Sequence, residues 1–278
     1  MRTQSAPAAD HNGKGDRIMR VYIVTDLEGV SGVTLWSQTG PTDAAAYEAS
    51  RRLLMGDVNA CVEGCLAGGA TRITVLDGHG WPFNFVPELM HPAAEYLVGR
   101  GFPRGWGLDE GYDCGMQVGC HARNRTPDGV LYHTQSHLSD ARYWYNDVEL
   151  GEIGQTALVF GHFGLPCVLV TGDHAACREA QELFGKQCLT EAVKYGYGRQ
   201  CCRMLAPAKT QQLIRQAARA ALVGWTQAKP FKLDLPIRAR VETLAVELPE
   251  TATAEEIAAA PHQVHEGLCE TQLDIYSF

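Results

Sequence analysis

Two carboxylates, Asp26 and Glu28, stand two residues apart where the apolar run 21–25 ends, and a Gly-rich turn follows at once. Side chains alternate between the two faces of a strand, so both carboxylates project the same way from its carboxyl end, where α/β proteins bind ligands. Two like charges held together repel each other, and a bound metal cation would offset that repulsion. Taken alone, the motif fits a solvated strand-to-loop turn at least as well.

The same arrangement recurs twice along the chain. Residues 71–76 form a short apolar run that leads into Asp77, Gly78 and His79, and residues 115–120 form another that ends at His121. Three strand-like segments thus each deliver a metal-binding group at the carboxyl end. Carboxylate and neutral imidazole together suit Zn²⁺, with Mn²⁺ or Co²⁺ as poorer fits. The set therefore predicts a metal site, although His79 alone would be an ordinary loop histidine.

The elements that must position these groups alternate between strand and helix. A long amphipathic pattern over residues 43–67, with Thr42 as its predicted N-cap, separates the first two strands. Such an alternation predicts an α/β fold, with a mainly parallel sheet flanked by helices and joined by right-handed crossovers. Residues 141–150 predict a hairpin across Asn146 and Asp147, and hence an antiparallel interruption. Residues 242–247 predict the final strand.

The chain divides into three predicted parts. Residues 1–17 are polar and rich in small residues, which predicts a disordered extension. Residues 18–190 form the metal-binding catalytic α/β domain. A change of character near residue 190 predicts a smaller C-terminal α+β subdomain over residues 191–278, although no linker-like stretch fixes the boundary.

Composition excludes several classes of partner. The 278-residue chain has a net charge of −8, and this acidity argues against nucleic acid or an anionic membrane, because both call for a basic surface. No apolar run approaches the ~18 residues that a membrane span requires. The N-terminal segment lacks the apolar core of a signal peptide. These features favour a cytoplasmic protein.

The ten cysteines predict neither a disulfide framework nor a zinc knuckle, because no Cys-x-x-Cys pair occurs. Reduced and mostly buried thiols are the expectation. Cys120 neighbours His121 and is the thiol with the best position for a nucleophilic role.

A polar segment over residues 124–140 holds two further histidines, His133 and His137. Loops on a rigid scaffold often carry function, so we expect an active-site loop here. Glu152 follows the predicted hairpin at the start of a helix. The helix dipole favours a carboxylate there whether or not it has a further role, so its function stays open on this ground.

Several of these motifs together resemble the DppA-type D-aminopeptidase family of zinc peptidases. The resemblance rests on the Thr-Asp-Leu-Glu-Gly signature at residues 25–29, on Asp-Gly-His at 77–79 and on His-Ala-Arg at 121–123. It continues through residues 129–134, 146–154, 171–173 and 205–209, in the order of the family, and covers roughly residues 19–246.

The resemblance implies an aminopeptidase with two zinc ions that acts on short peptides carrying D-amino acids. It implies five metal ligands, of which Asp26 would bridge the two ions, and a direct catalytic role for His133. The implied ligands are Asp26, Glu28, His79, His121 and Glu152. This sequence departs from the family pattern at two positions. The family commonly has a small hydroxyl residue in place of Gly78 and an aromatic residue in place of Cys120.

The chemistry expected of such a site is hydrolysis of an N-terminal residue by a metal-bound hydroxide. His133 would donate a proton to the leaving amine or stabilise the oxyanion, and a nucleophilic role is less economical. Two other readings stay open. A dinuclear phosphoesterase would need a cluster of Arg or Lys for phosphate, and near the site the sequence offers Arg123 and Arg125. A non-catalytic metal-dependent peptide-binding protein would leave His133 and Glu152 incidental.

The resemblance further implies a ring-shaped homo-oligomer with its sites facing an inner chamber. The sequence adds the aromatic cluster Tyr143, Trp144 and Tyr145, a type of residue that is enriched in interface cores. The alternative is that these aromatic side chains pack beneath the sheet of their own chain.

Overall fold

The three apolar runs that end in Asp, Glu or His are strands of one seven-stranded sheet. The computed structural model describes residues 18–81, 83–248 and 252–278. In chain order the elements of the first half are β1 (Arg20–Thr25), α1 (Ala44–Ala67), β2 (Arg72–Asp77), β3 (Glu95–Leu97), β4 (Cys114–Cys120), β5 (Arg142–Tyr145), β6 (Val148–Glu149) and α2 (Glu152–His162). Those of the second half are β7 (Cys167–Asp173), α3 (His174–Phe184), β8 (Leu189–Gly198), β9 (Cys201–Met204), α4 (Pro207–Gly224), β10 (Ile237–Leu244), α5 (Ala254–Ala259) and β11 (His262–Cys269).

The main sheet has the strand order β3-β2-β1-β4-β7-β8-β9. All its pairings are parallel except that of β8 with β9. The chain leaves β1 to build β2 and β3 on one side, then returns to place β4 on the other. The carboxyl ends of β1 and β4 therefore form a topological switch point, the position where open α/β sheets bind ligands.

Alternating side chains of the strands fill two cores, one on each face of the sheet. Val21 and Ile23 of β1 pack with residues of α1 and α4. Tyr22 and Val24 of the same strand pack with residues of α2, α3 and a second sheet. The mainly parallel sheet flanked by helices is thus confirmed.

The second sheet is antiparallel, with the order β11-β10-β5-β6. The predicted hairpin is present, and both Asn146 and Asp147 have positive φ, at 49° and 68°. Two successive positive-φ residues are the requirement of a type I′ turn, and Asn and Asp tolerate it better than other residues with a Cβ.

The hairpin aromatics follow the alternative raised for them. Tyr143 and Tyr145 are buried within this chain. Trp144 is half-buried and lies beneath two guanidinium groups, those of Arg142 and Arg240, at 4.6 and 4.5 Å from its ring centroid. The two tyrosines therefore pack within their own chain, and Trp144 keeps part of its surface exposed.

Two local predictions were wrong. The N-cap of α1 is Asp43 rather than Thr42, because the Asp43 carboxylate accepts a hydrogen bond from the Ala46 amide at 3.0 Å. The strand predicted at residues 242–247 begins five residues earlier, in β10, and β11 follows it. β11 has mostly exposed residues, so it lacks the apolar run by which a strand is recognised.

The predicted extension over residues 1–17 lies outside the described residues. The predicted boundary near residue 190 falls within β8, which pairs with β7 in the main sheet, and the division into a C-terminal subdomain stays a prediction. Among the described residues, no helix combines the length and the apolar character needed to cross a bilayer.

Candidate metal centre

The segments that follow β1 and end β4 are held together by backbone hydrogen bonds. The Asp26 amide donates to the Val118 carbonyl at 2.9 Å, and the Gly29 amide to the Gly119 carbonyl at 2.7 Å. A Cβ at Gly29 would lie 1.9 Å from the Cys120 carbonyl oxygen, and Gly119 has φ +82°. Only glycine meets both conditions, which explains the Gly-rich turn after Glu28. This contact sets the ends of the two strands side by side.

Asp26, Glu28 and His79 meet at the ends of β1 and β2, and we call them the strand group. The His79 Nδ1 atom lies 3.1 Å from Asp26 Oδ1 and 3.1 Å from Glu28 Oε2. The opposite ring nitrogen, Nε2, lies 2.7 Å from the Thr39 carbonyl oxygen. The expected pair of carboxylates is therefore present, in the turn that follows β1, and the imidazole near both comes from the loop that follows β2.

His121, His133 and Glu152 form a second cluster, which we call the loop group. His121 Nε2 lies 3.5 Å and His133 Nε2 3.8 Å from Glu152 Oε1. The two imidazole rings stack with their centroids 4.0 Å apart. Glu152 projects from the first turn of α2, and the Gln135 amide donates to its Oε1 at 2.6 Å.

Asp26 belongs to the strand group, but its two carboxylate oxygens face different groups. Its Oδ1 faces His79, and its Oδ2 lies 3.3 Å from His121 Nε2. Within each group the potential ligand atoms all lie within 4.8 Å of one another. The five predicted ligands are thus brought together. His133, expected to act without binding metal, is itself a member of the loop group, with its Nε2 3.8 Å from Glu152 Oε1.

The hydrogen bonds of the three imidazoles fit a metal site. A carbonyl oxygen only accepts, so the ring nitrogen that faces one carries the proton. Carbonyls of Thr39, Ala122 and Leu131 accept from His79 Nε2, His121 Nδ1 and His133 Nδ1, at 2.7, 2.9 and 2.9 Å. Each neutral ring therefore directs an unprotonated nitrogen inward, the arrangement typical of metal-binding histidines.

Two of the side-chain atoms that point into the site have no hydrogen-bond partner among the described residues. They are Glu28 Oε2 and His121 Nε2, and both are buried. Lone pairs that face carboxylate oxygens at 3.1–3.5 Å repel them unless a cation lies between. The donor set, oxygens and imidazole nitrogens, is one that Zn²⁺ accepts. The residues therefore fit a divalent metal.

Without metal, protons take the place of the cation. Burial opposes a charge on His79, but Glu28 and Asp26 outweigh it and hold the pKa of His79 well above its usual value. Glu152 and Asp26 do the same for the pKa of His121, again against burial. Burial and the neighbouring His121 charge instead lower the pKa of His133 to about 3, so this ring is neutral.

Sequence reasoning missed the groups that hold the site in place. Asn84 donates to both carboxylate oxygens of Asp77, from its backbone N–H at 2.7 Å and from its side-chain Nδ2 at 2.8 Å. These bonds fix the loop that carries His79. The Lys194 ammonium is fully buried and donates to the carbonyls of Glu28, Val30 and Val33. An Asp followed seven residues later by Asn carries no recognised signature, and a lysine in β8 gives no sign that it reaches the β1 turn.

Arg199, in the turn between β8 and β9, holds the loop that carries His133. Its carbonyl accepts from the Leu131 amide at 2.7 Å, and its guanidinium stacks over the rings of Trp36 and Tyr132, 5.1 and 4.9 Å from their centroids. Trp36 in turn meets His133 edge-on at 5.5 Å and stacks on His137 at 4.4 Å. His137 thus packs behind His133 and outside both donor groups.

The other residues that the sequence suggested for catalysis or phosphate binding, Cys120, Arg123 and Arg125, are not available for those roles. Cys120 is buried, and burial raises the pKa of its thiol well above the usual value, which disfavours a thiolate. Arg123 lies 3.9 Å from Glu179, and Arg125 pairs with Asp140. Both arginines are therefore engaged by carboxylates of their own chain, and the phosphate-binding cluster that a phosphoesterase would need is not formed by them.

A cavity of about 340 Å³ opens beside both donor groups. Its lining includes four of the predicted metal ligands, Asp26, His79, His121 and Glu152. Its size is at the small end of the roughly 300–1,000 Å³ typical of small-ligand pockets.

Comparison with known proteins points to one family. The sequence model of the family described as D-aminopeptidase matches residues 19–265. A D-aminopeptidase of Bacillus subtilis (strain 168) is 33% identical over 218 residues, which cover 77% of each chain. A solved structure described as a Zn-dependent D-aminopeptidase DppA from Bacillus subtilis, a self-compartmentalizing protease, superposes with a TM-score of 0.81 at 27% identity, and the match covers 93% of this chain and 94% of the other.

Proposed function

This chain belongs to the D-aminopeptidase family and is a metallopeptidase-type hydrolase; from that premise we propose that it removes the N-terminal residue of short peptides, with a preference for D-amino acids, at a dinuclear zinc centre. The observation that carries the proposal is the position of Asp26, whose two carboxylate oxygens face two separate donor groups. One carboxylate between two sets of ligands is the arrangement that a pair of ions shares.

Asp26, Glu28 and His79 would hold one ion, and Asp26, His121 and Glu152 the other. When bound, the two ions would lower the pKa of a water molecule and polarise the scissile carbonyl. Zn²⁺ is favoured over Mn²⁺ or Co²⁺ because the donor set combines imidazoles with carboxylates and the related solved enzyme is described as Zn-dependent.

His133 would move the proton. Its Nδ1 is committed to the Leu131 carbonyl, so its free Nε2 begins the reaction unprotonated and faces the loop group. That atom accepts a proton as water attacks the carbonyl and returns it to the leaving amine, two transfers that suit one imidazole. Stabilisation of the oxyanion by the same nitrogen is the alternative within this scheme.

Hydrolysis of a matched peptide panel tests the activity. Purified protein loaded with Zn²⁺ should cleave D-aminoacyl amides and dipeptides that begin with a D-residue faster than the L-enantiomers. A phosphate monoester should stay intact. Turnover of the phosphate ester would favour the phosphoesterase, and binding of peptides without turnover would favour a peptide-binding protein.

We also propose a closed homo-oligomeric ring in the cytoplasm, with the sites facing an inner chamber. The proposal rests on the related structure, which is described as self-compartmentalizing. A chamber would admit short or unfolded peptides and exclude folded proteins. Light scattering decides the assembly, because a species near the 30.4 kDa of one chain at micromolar concentration would exclude the ring.

A further inference from the structure

The cavity beside the metal centre is lined by two kinds of side chain. Carboxylates and imidazoles of the strand group and the loop group form part of the lining. The rest is largely apolar and aromatic, and it includes Phe102, Trp106, Ile153 and Tyr276. Trp106 and Tyr276 contact each other with ring centroids 5.5 Å apart.

Arg100 lies in the lining of this cavity. Among the described residues that line it, Arg100 is the only Lys or Arg. Its side chain is exposed and makes no hydrogen bond or ion pair within the part of the chain that the structure describes. Its neighbours Gly99 and Gly101 have φ of +112° and +74°, and a Cβ at either would meet open space. The arginine is thus carried on a bend, between two glycines with positive φ.

Neighbouring arginines are engaged elsewhere. Arg72 pairs with Glu95 and Glu110 at 2.9 and 2.7 Å, and Arg104 pairs with Asp274. Arg100 therefore differs from them in offering all its guanidinium donors to a ligand. A guanidinium presents a planar pair of N–H groups that matches a carboxylate.

We propose that Arg100 binds the C-terminal carboxylate of the substrate and so makes free dipeptides and tripeptides the preferred substrates of this site. The inference rests on the proposed aminopeptidase function, which places the free amino terminus and the scissile bond of the substrate at the metal centre. A peptide of two or three residues extends by about 3.3–3.6 Å per residue, and so its C-terminal carboxylate can reach a lining residue such as Arg100 while its amino terminus lies at the metal ligands.

The test compares a dipeptide with its C-terminal amide, for example D-alanyl-glycine and D-alanyl-glycinamide. Arg100→Gln should raise KM for the free dipeptide by about tenfold or more, the range of one charge-assisted hydrogen-bonded pair, and leave KM for the amide within about twofold. Arg100→Lys should retain part of the preference, because it keeps the charge but not the fork. Arg219 is an exposed arginine on α4, and Arg219→Gln is the matched control. It should leave KM unchanged for both substrates.

Two failures are distinguishable. An equal change in KM for dipeptide and amide in Arg100→Gln, or no change in either, would overturn the role of Arg100 and leave the aminopeptidase in place. Wild-type protein that cleaves neither compound would overturn the proposed function and this inference with it. Calorimetry with a non-cleavable dipeptide, in which the peptide bond is reduced to CH₂–NH, reads binding without turnover. It should show the same loss of affinity in Arg100→Gln for the free carboxylate form alone.

Discussion

The strand group and the loop group use similar ligands, but the chain assembles them in different ways. Asp26, Glu28 and His79 follow two strands that pair directly, with Thr25 opposite Asp77 in the register. His121, His133 and Glu152 come from the end of β4, a long loop and the first turn of α2. Glu152 is 30% exposed, whereas Glu28 is 3% exposed.

The difference separates two ways of holding a ligand. In the strand group, the register of a buried parallel sheet places Thr25 beside Asp77, and each ligand follows within three residues of that pair, so their positions depend on the core. In the loop group, positions depend on contacts of the segment 124–140 with β8–β9 and with the second sheet. We therefore expect variants at Asp26 to affect both groups, and variants in the loop supports to affect the loop group alone.

Asp26→Ala should have the largest effect, because Asp26 presents one oxygen to each group and would bind both proposed ions. Metal content should fall from about two ions per chain to nearly none, and turnover by on the order of 10³ or more, since no activated water remains. Plasma emission analysis measures the first and hydrolysis of a D-aminoacyl amide the second. Asp109→Ala, at an exposed acid, is the control. Full metal occupancy in Asp26→Ala would exclude the bridging role.

His133→Ala should lower turnover by on the order of 10² to 10⁴ and retain both ions, as expected for a positioned acid or base. His137→Ala should be mild, because His137 packs on Trp36 outside both groups. Metal analysis beside the kinetics separates two roles. Loss of a single ion in His133→Ala would make this residue a ligand of the loop group, and reversed effects of the two variants would show that the wrong histidine was chosen.

Arg199→Gln should lower kcat by about 10-fold to 100-fold with little change in KM or metal content, the size of effect seen when an outer support is removed. The physical reason is the loss of the stack on Trp36 and Tyr132 that holds the His133 loop. Arg203→Gln is matched, since Arg203 lies on the adjacent strand and stacks on Tyr195 at 4.8 Å without contacting that loop. Equal effects of both variants would indicate a general loss of stability instead.

Asp140→Asn should have the smallest effect, a loss of about 1–2 kcal/mol in the free energy of unfolding. Asp140 accepts from Asn124 at 2.7 Å and from Arg125 Nε at 3.0 Å, and its Oδ2 lies 3.1 Å from His262 Nε2 on β11, so it ties the loop to that strand. Burial opposes its charge, but these donors outweigh burial and hold the pKa of Asp140 below its usual value.

The sign of the pH dependence follows from that lowered pKa. The contribution of Asp140 is complete above the ordinary carboxyl pKa of about 3.9 and is lost as the pH falls through the folded-state value. Urea unfolding of wild type and Asp140→Asn should thus differ by a constant amount from pH 7 to pH 5 and converge at lower pH. Asp147→Asn, in an exposed ion pair, is the control. A difference that grows as the pH falls would contradict this account.

The same contrast explains which features the sequence predicted. The strands that lead into Asp26, His79 and His121 are short apolar runs followed by polar residues, and parallel strands bring such ends to one edge by topology alone. The fold class and the convergence of the strand group could therefore be predicted from local pattern. Assignment of Glu152 and His133 depended on family resemblance, because a helix N-terminal glutamate and a loop histidine have many ordinary roles.

Other features had no local signal. β11 is mostly exposed, so its pairing with β10 could not be read from hydrophobic periodicity. Arg199 acts through contacts with Leu131 and with Trp36, which lie 68 and 163 residues away along the chain. Tyr143 and Tyr145 face the interior because of the sheet to which their hairpin belongs, and the hairpin sequence alone does not specify it.

The three carbonyls that orient His79, His121 and His133 belong to the main chain of Thr39, Ala122 and Leu131. Every amino acid supplies the same carbonyl, so a substitution at these three positions keeps the hydrogen bond wherever the backbone path is kept. The orientation of the metal-facing nitrogens is thus insensitive to drift in side-chain identity there. Relatives can differ at these positions and still present the same three imidazoles, and a search for recurring polar side chains around the histidines would overlook what holds them.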